Sequence, residues 1–161
     1  MIILAAAVAL VVAMFAGWRS LAEAPGIAPG ISIAVLPFEA FSGSKFDLRL
    51  ADRMTDEVTT ALARLGKLSV VSRTSARQFQ GVRKPMHEIG DALGAQTTME
   101  AAVEIEGDGL LIQPRLVDAT IDRKIWVGTY RGRRTDPREL AAQIAAGATE
   151  AVLKRRAQGQ N

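Results

Sequence analysis

Three observations predict an α/β fold with α+β character. They are an almost continuous apolar run at Ile31–Phe38, a helical stripe from Asp47 to about Leu65, and apolar/polar alternation from Thr97 to Glu106. The first two, followed by the short apolar run Leu68–Val71, make a parallel β-α-β unit, because a crossover of this length returns a parallel strand. The third opens an antiparallel meander. The sequence therefore predicts a five-stranded mixed sheet with helices packed on it, preceded by one N-terminal transmembrane helix or signal segment.

Met1–Trp18 contains no charged side chain. As a helix it would rise about 27 Å, close to the roughly 30 Å of a bilayer's hydrocarbon core. Trp18 and Arg19 end it as an interfacial aromatic and a snorkelling cation would. An uncleaved anchor over residues 1–19 is the preferred reading. A signal peptide is the alternative, with Ser20 and Ala22 as small residues before Glu23, although no Lys or Arg precedes the apolar run. Residues 20–30 carry two Pro-Gly pairs, which neither a helix nor a central strand accepts, and read as a spacer before a domain at 31–156. Residues 157–161 read as a disordered tail.

Each element of that domain has a local cause. Ile31–Phe38 is apolar throughout, as a strand buried on both faces is, and Pro37 ends it. Leu48, Ala51, Met54, Val58, Ala61, Leu62 and Leu65 form the helical stripe, and Gly66 stops the helix. Ser72 or Thr74 caps a short helix reaching Gln80; Pro85 starts another, closed by Gly94. Thr97–Glu106 and Leu110–Val117 are joined by Gly107-Asp108-Gly109, a hairpin turn rich in positive φ. Lys124–Tyr130 is the last strand. Asp136-Pro137-Arg138-Glu139 is a full helix start, and Leu140, Ile144, Ala148 and Val152 share the face of the helix that follows.

Composition narrows the chemistry. The 161 residues include 20 Lys+Arg, 17 Asp+Glu, one His and no Cys. Disulfides, thiolate catalysis and Cys-based zinc sites are therefore absent, and no multi-His metal site can be built. A net charge of +3 is small against this mixture of signs and does not indicate nucleic acid.

Several motifs, in order, resemble the TolB amino-terminal-like domain: Leu36-Pro37-Phe38, the Asp-rich helix Asp52–Asp56, Val71-Ser72-Arg73-Thr74-Ser75, Leu93-Gly94, Leu116-Val117-Asp118-Ala119 and Trp126. The resemblance covers 31–153. It implies a periplasmic, non-catalytic α/β domain of a kind found ahead of the TolB propeller, in flagellar envelope proteins, and behind membrane spans in adenylate cyclases and winged-helix regulators. Ala101, Pro114 and the Thr120-Ile121-Asp122 turn depart from the family pattern. Pro114 cannot donate a ladder hydrogen bond, so its strand is expected at an edge or bulged there.

Asp52 and Asp56 share one helical face, where acids favour the positive end of the helix dipole, and are read as a solvated helix start. His87 is read as a surface histidine. Ser42-Gly43-Ser44 lacks the Lys of a phosphate loop. No enzyme, cofactor or metal is expected. The candidate partner-binding residues are Arg73 and Arg77, the run Arg131, Arg133, Arg134 and Arg138, and the pair Trp126 and Tyr130.

The function expected is a non-catalytic, membrane-tethered periplasmic interaction module that binds an envelope protein or wall component. The inner membrane is reached through residues 1–19, no nucleic acid is bound, and a bare sheet edge permits a homodimer. A cleaved, soluble periplasmic form is the alternative in location. The alternative in function is the sensory or regulatory part of a split signalling protein of the adenylate cyclase or winged-helix type.

Overall fold

The computed structural model describes residues 30–42 and 44–158. The expected membrane segment, nearly all of the spacer and the end of the tail lie outside the described residues. The first strand, β1, is Ser32–Val35, followed by a two-residue β2 at Glu39–Ala40. Helix α1 runs Lys45–Leu65, and β3 is Ser69–Val70. Two short helices follow, α2 at Arg73–Ala76 and α3 at Met86–Leu93. The meander is β4 at Thr97–Glu106, β5 at Gly109–Asp118, β6 at Arg123–Val127 and β7 at Tyr130–Arg133; α4, Pro137–Gln158, closes the domain.

The strands lie in the order β3-β1-β4-β5-β6, with β2 continuing along β4 and β7 along β5. β1 is parallel to both β3 and β4, placing Ile33 beside Val70 on one side and Thr97 on the other. β4 and β5 stay in antiparallel register over their whole length, from Thr97 opposite Asp118 to Glu106 opposite Gly109. The parallel start and the antiparallel meander are as the sequence predicts.

The strand count is not: the sheet has seven strands rather than five. Pro37 has no N–H and breaks the first strand, so the next donor, Phe38 N, turns to Thr55 Oγ1 of α1 at 3.0 Å before Glu39 rejoins β4. Gly128 and Thr129 divide the last strand into β6 and β7. Pro114 sits opposite that second gap. Its carbonyl accepts from Gly128 N at 2.9 Å, and in an extended strand N and C=O of one residue point the same way. The missing N–H therefore falls where the ladder is already interrupted. β5 is an interior strand, not the expected edge, and its irregularity lies between Leu116 and Val117 against β6.

One sheet face is covered by α1 and α4. Ile33, Val35, Met99, Val103, Leu110, Ile112 and Leu116 meet Met54, Val58 and Leu62 of α1 and Leu140, Ile144, Ala148 and Val152 of α4 in one buried cluster. The α1 stripe differs at its ends from the expected one: Leu50 is buried, whereas Leu48 and Leu65 are exposed. The other face is covered only in part, by α3, whose Ile89 is buried and whose Gly90 lies against Ala119.

The caps follow local chemistry. Ser44 accepts from Asp47 N at 3.1 Å, and Gly66 and Gly94 take left-handed φ of 63° and 62° to end α1 and α3. At α4, Asp136 accepts from Glu139 N at 3.4 Å, while the Asp136 N–H bonds Arg133 O and not the Glu139 side chain that a reciprocal capping box would place there. Among the described residues no helix is long and apolar enough to cross a membrane.

This topology gives the domain two ends. Ser32, Ser69, Thr97, Asp118 and Arg123 are in register at one, together with the C-termini of α1 and α4; we term it the base, and residue 30 joins it. The β4–β5 turn, the end of β7 and the N-termini of α1 and α4 form the opposite end, the tip.

Candidate functional site

The tip gathers most of the arginines singled out in the sequence. β7 ends at Arg133, and the turn into α4 supplies Arg134 and Arg138. A cleft of about 310 Å³ opens there, lined by Arg131, Arg133, Thr135, Asp136, Glu139 and Gln143. Three of the four arginines already have acidic neighbours. Arg131 Nε lies 3.7 Å from Glu106, Arg134 Nη2 lies 3.0 Å from Asp108, and Arg138 Nε lies 3.7 Å from Glu57 of α1. Arg133 has no ion-pair partner among the described residues. The tip is therefore a surface of alternating charge rather than a uniformly basic one.

Arg134 also connects this cleft to an apolar feature. Its guanidinium lies 5.7 Å from the centre of the Phe46 ring. Phe41, Phe46 and Leu48 are 79%, 58% and 48% exposed, three large apolar side chains within one loop and the helical turn after it. The Ser42 hydroxyl donates to the Asp47 carboxylate and Ser44 caps the helix, so the loop is fastened to α1 at both points. The sequence reading misses this patch. Phe41 and Phe46 fall outside the helix expected from Asp47 and are assigned no role, and Leu48 fits the expected buried stripe. The available signal is two phenylalanines within six residues on either side of Ser42-Gly43-Ser44, where a loop has no core to bury them in.

The other candidates are elsewhere. Arg73 and Arg77 follow β3, at the opposite edge of the sheet from β6 and β7. Arg73 bonds both Asp52, at 2.6 Å, and Asp56, and Arg77 reaches Asp52 at 3.4 Å. This fork pins α2 to α1, so Asp52 and Asp56 are ion-pair acceptors rather than a freely solvated helix start. The Asp56 carboxyl is raised above its ordinary value, first by desolvation and against the pull of Arg73.

Trp126 and Tyr130 face the helix side, their ring centres 6.2 Å apart with planes inclined at 49°. Both pack on the core beneath α4, near Gly147. Burial raises the Tyr130 phenol above its ordinary value, with a further contribution from Glu150. His87 and Asp122 lie 4.0 Å apart and both are about half exposed. Among the described residues no group of three or more His, Cys, Asp or Glu is placed to hold a metal ion.

No family model matches the chain. TolB from Acinetobacter baumannii superposes with a TM-score of 0.56 at 16% identity, over 76% of this chain and 28% of TolB. A lipoprotein from Neisseria meningitidis gives 0.53 at 17% identity, over 64% of this chain and 80% of its own. The solution structure of LpoB from E. coli gives 0.53 at 20% identity, covering 66% of this chain and 58% of LpoB. The domain has a TolB-like α/β fold. At these identities the likeness is one of fold. A curated relative, putative adenylate cyclase 3 of Rhizobium meliloti, is 28% identical over 99 residues of this chain. Those residues are 62% of this chain, which spans only 17% of the cyclase's length.

Proposed function

We propose that this TolB-like domain is a non-catalytic interaction module of the cell envelope, tethered to the inner membrane by residues 1–19, held in the periplasm, and engaging an envelope protein or wall component through its tip. The carrying observation is the exposed patch of Phe41, Phe46 and Leu48 beside the charged cleft at the end remote from residue 30. Exposed aromatics with a polar, mixed-charge rim are the composition of a protein-binding surface. The fold shared with a Neisseria lipoprotein and TolB supports the envelope address.

Site-specific photocrosslinking in intact cells tests it. A photoreactive phenylalanine at position 41 or 46 should capture one envelope component, and the same group at exposed Ala92 on α3, near the base, should not. Arg134→Glu, which removes the cation beside Phe46, should weaken capture. Equal capture from positions 46 and 92 would sink the tip as the binding surface. A carboxy-terminal tag protected from protease until cell lysis would sink the periplasmic address.

A second reading, the regulatory part of a cyclase-type signalling protein, is favoured by the 99-residue match to the putative adenylate cyclase. Replacing the matched segment of that cyclase with the corresponding residues of this chain tests it. Cyclic AMP output that keeps its regulation would support this reading, and constitutive or lost output would count against it.

A further inference from the structure

The base of the domain carries cations that no fold contact uses. Arg64 and Lys67 flank the α1–β3 turn, and Arg123 and Lys124 begin β6. Lys154, Arg155 and Arg156 occupy the last turns of α4. All seven are exposed, and none enters an ion pair among the described residues. The arginines that are paired lie on α2 or just after it, on the outer sheet face or at the tip. Acidic side chains at the base are fewer and partly engaged: Asp118 accepts from Thr120, Asp122 faces His87, Asp91 is exposed on α3, and Glu150 borders the groove between α1 and α4 that Lys67 and Lys154 also line. Helix dipoles account for the cations at the C-terminus of α4 and for Arg64 in the last turn of α1, but not for Lys67, Arg123 or Lys124.

Apolar groups are interleaved with these charges. Leu65, Leu153 and Ile121 are exposed at the same end. Leu65 and Leu153 line a groove of about 670 Å³ between α1 and α4, together with Lys67 and Lys154. The buried hydroxyl of Thr149, which has no hydrogen-bond partner among the described residues, also borders this groove. A second groove of about 330 Å³ is bordered by Arg155, Arg156 and Ile31, the residue next to the junction with residues 1–29.

We infer that the base is a docking surface for an anionic lipid bilayer, which holds the domain upright with its tip directed away from the membrane. Unpaired cations interspersed with exposed leucine and isoleucine match anionic headgroups above an acyl boundary. Met1–Trp18 is uncharged and of bilayer length, and at most a dozen residues separate it from the base. The inference rests on the tethered reading for its geometry, and the experiment separates the two.

The chain has no cysteine, so single labels can be placed cleanly. Full-length protein labelled at Ala157→Cys on the base, or at Thr135→Cys on the tip, is reconstituted in phosphatidylcholine vesicles with and without phosphatidylglycerol. The vesicles carry a headgroup nitroxide quencher. Phosphatidylglycerol should increase quenching at 157 but not at 135, and high salt should reverse it. Each basic residue shifts the docked population about fivefold, so R155Q/R156Q should shift it ~25-fold toward the undocked state. Quenching at 157 that ignores phosphatidylglycerol, in protein that pellets with the vesicles, overturns docking and leaves the tether standing. Failure to pellet with phosphatidylcholine vesicles at high salt removes the tether. Docking is then decided by pelleting with phosphatidylglycerol vesicles at low salt: binding abolished by R155Q/R156Q upholds it, and no binding overturns it.

Discussion

The Tyr130 hydroxyl occupies the place of a side chain at Gly147: a Cβ built there would overlap it. Gly147 stands inside α4, where Gly→Ala ordinarily stabilises a helix by about 1 kcal/mol. Here the sign should reverse, because the phenol ring is wedged between Trp126 and the helix. Gly147→Ala should cost about 1–3 kcal/mol through overpacking. Tyr130→Phe removes the obstructing oxygen and should restore much of the loss in the double variant. Urea melts of the four proteins read the coupling, and additive single effects would show that the two residues do not compete for this space.

Tyr130 is the chain's single tyrosine, so tyrosinate absorbance reports it alone. Its phenol is raised above 10, chiefly by burial and secondarily by Glu150. The unfolded chain therefore gives up this proton first as pH rises. Stability should fall from about pH 10 up to the folded-state value and be unaffected by this group at neutral pH. Glu150→Gln should bring the titration part of the way back toward 10. A titration midpoint at or below 10 in the folded protein would contradict the packing described for the ring.

Thr55 replaces the sheet as partner for Phe38 N. Its hydroxyl accepts that N–H at 3.0 Å and donates to Ala51 O at 2.9 Å, and the residue is buried. Thr55→Val preserves shape but leaves a buried donor unpaired, at a cost of about 1–3 kcal/mol. Thr55→Ser keeps the bond and should lose far less, for one missing methyl. If calorimetric melts rank Val above Ser, the hydroxyl is not what secures the break after Pro37.

Local patterns carried the strands and helices into view because their causes are local. The alternation of buried and half-buried residues is realised from Met99 to Glu104, although Thr98, on the side read as polar, is buried too, and Gly107 takes the positive φ its position in the turn asks for. What stayed hidden depends on contacts between distant segments. Pro37 reads as the end of a strand, and only α1 shows why two further residues can rejoin the sheet. Leu48 and Leu65 fit a helical period, yet both are exposed, so periodicity alone buries them wrongly. Arg131, Arg134 and Arg138 read as a basic run because Glu106, Asp108 and Glu57, which neutralise them, come from the hairpin and α1. Cations on the base stand out by the opposite test: the same residue types, with no such partners among the described residues.

Arg73 is the point through which α2 is fastened to α1, and its loss should be pH-dependent. It bonds both Asp52 and Asp56, and all three side chains are partly solvated, so Arg73→Gln should cost only about 1 kcal/mol at neutral pH. Asp56 already titrates above its ordinary value because burial outweighs the attraction of Arg73. Without that attraction it should titrate higher still. A carboxyl raised in the folded state takes up its proton before the unfolded chain does, so stability gains as pH falls through the folded-state value toward 3.8. The Arg73→Gln deficit should therefore narrow on acidification, and Asp56→Asn in the same background should remove most of that dependence. Urea melts at neutral pH and near pH 5 check the direction. A deficit that widens on acidification would mean that Arg73 does not favour the charged Asp56 carboxylate, against the ion pair described.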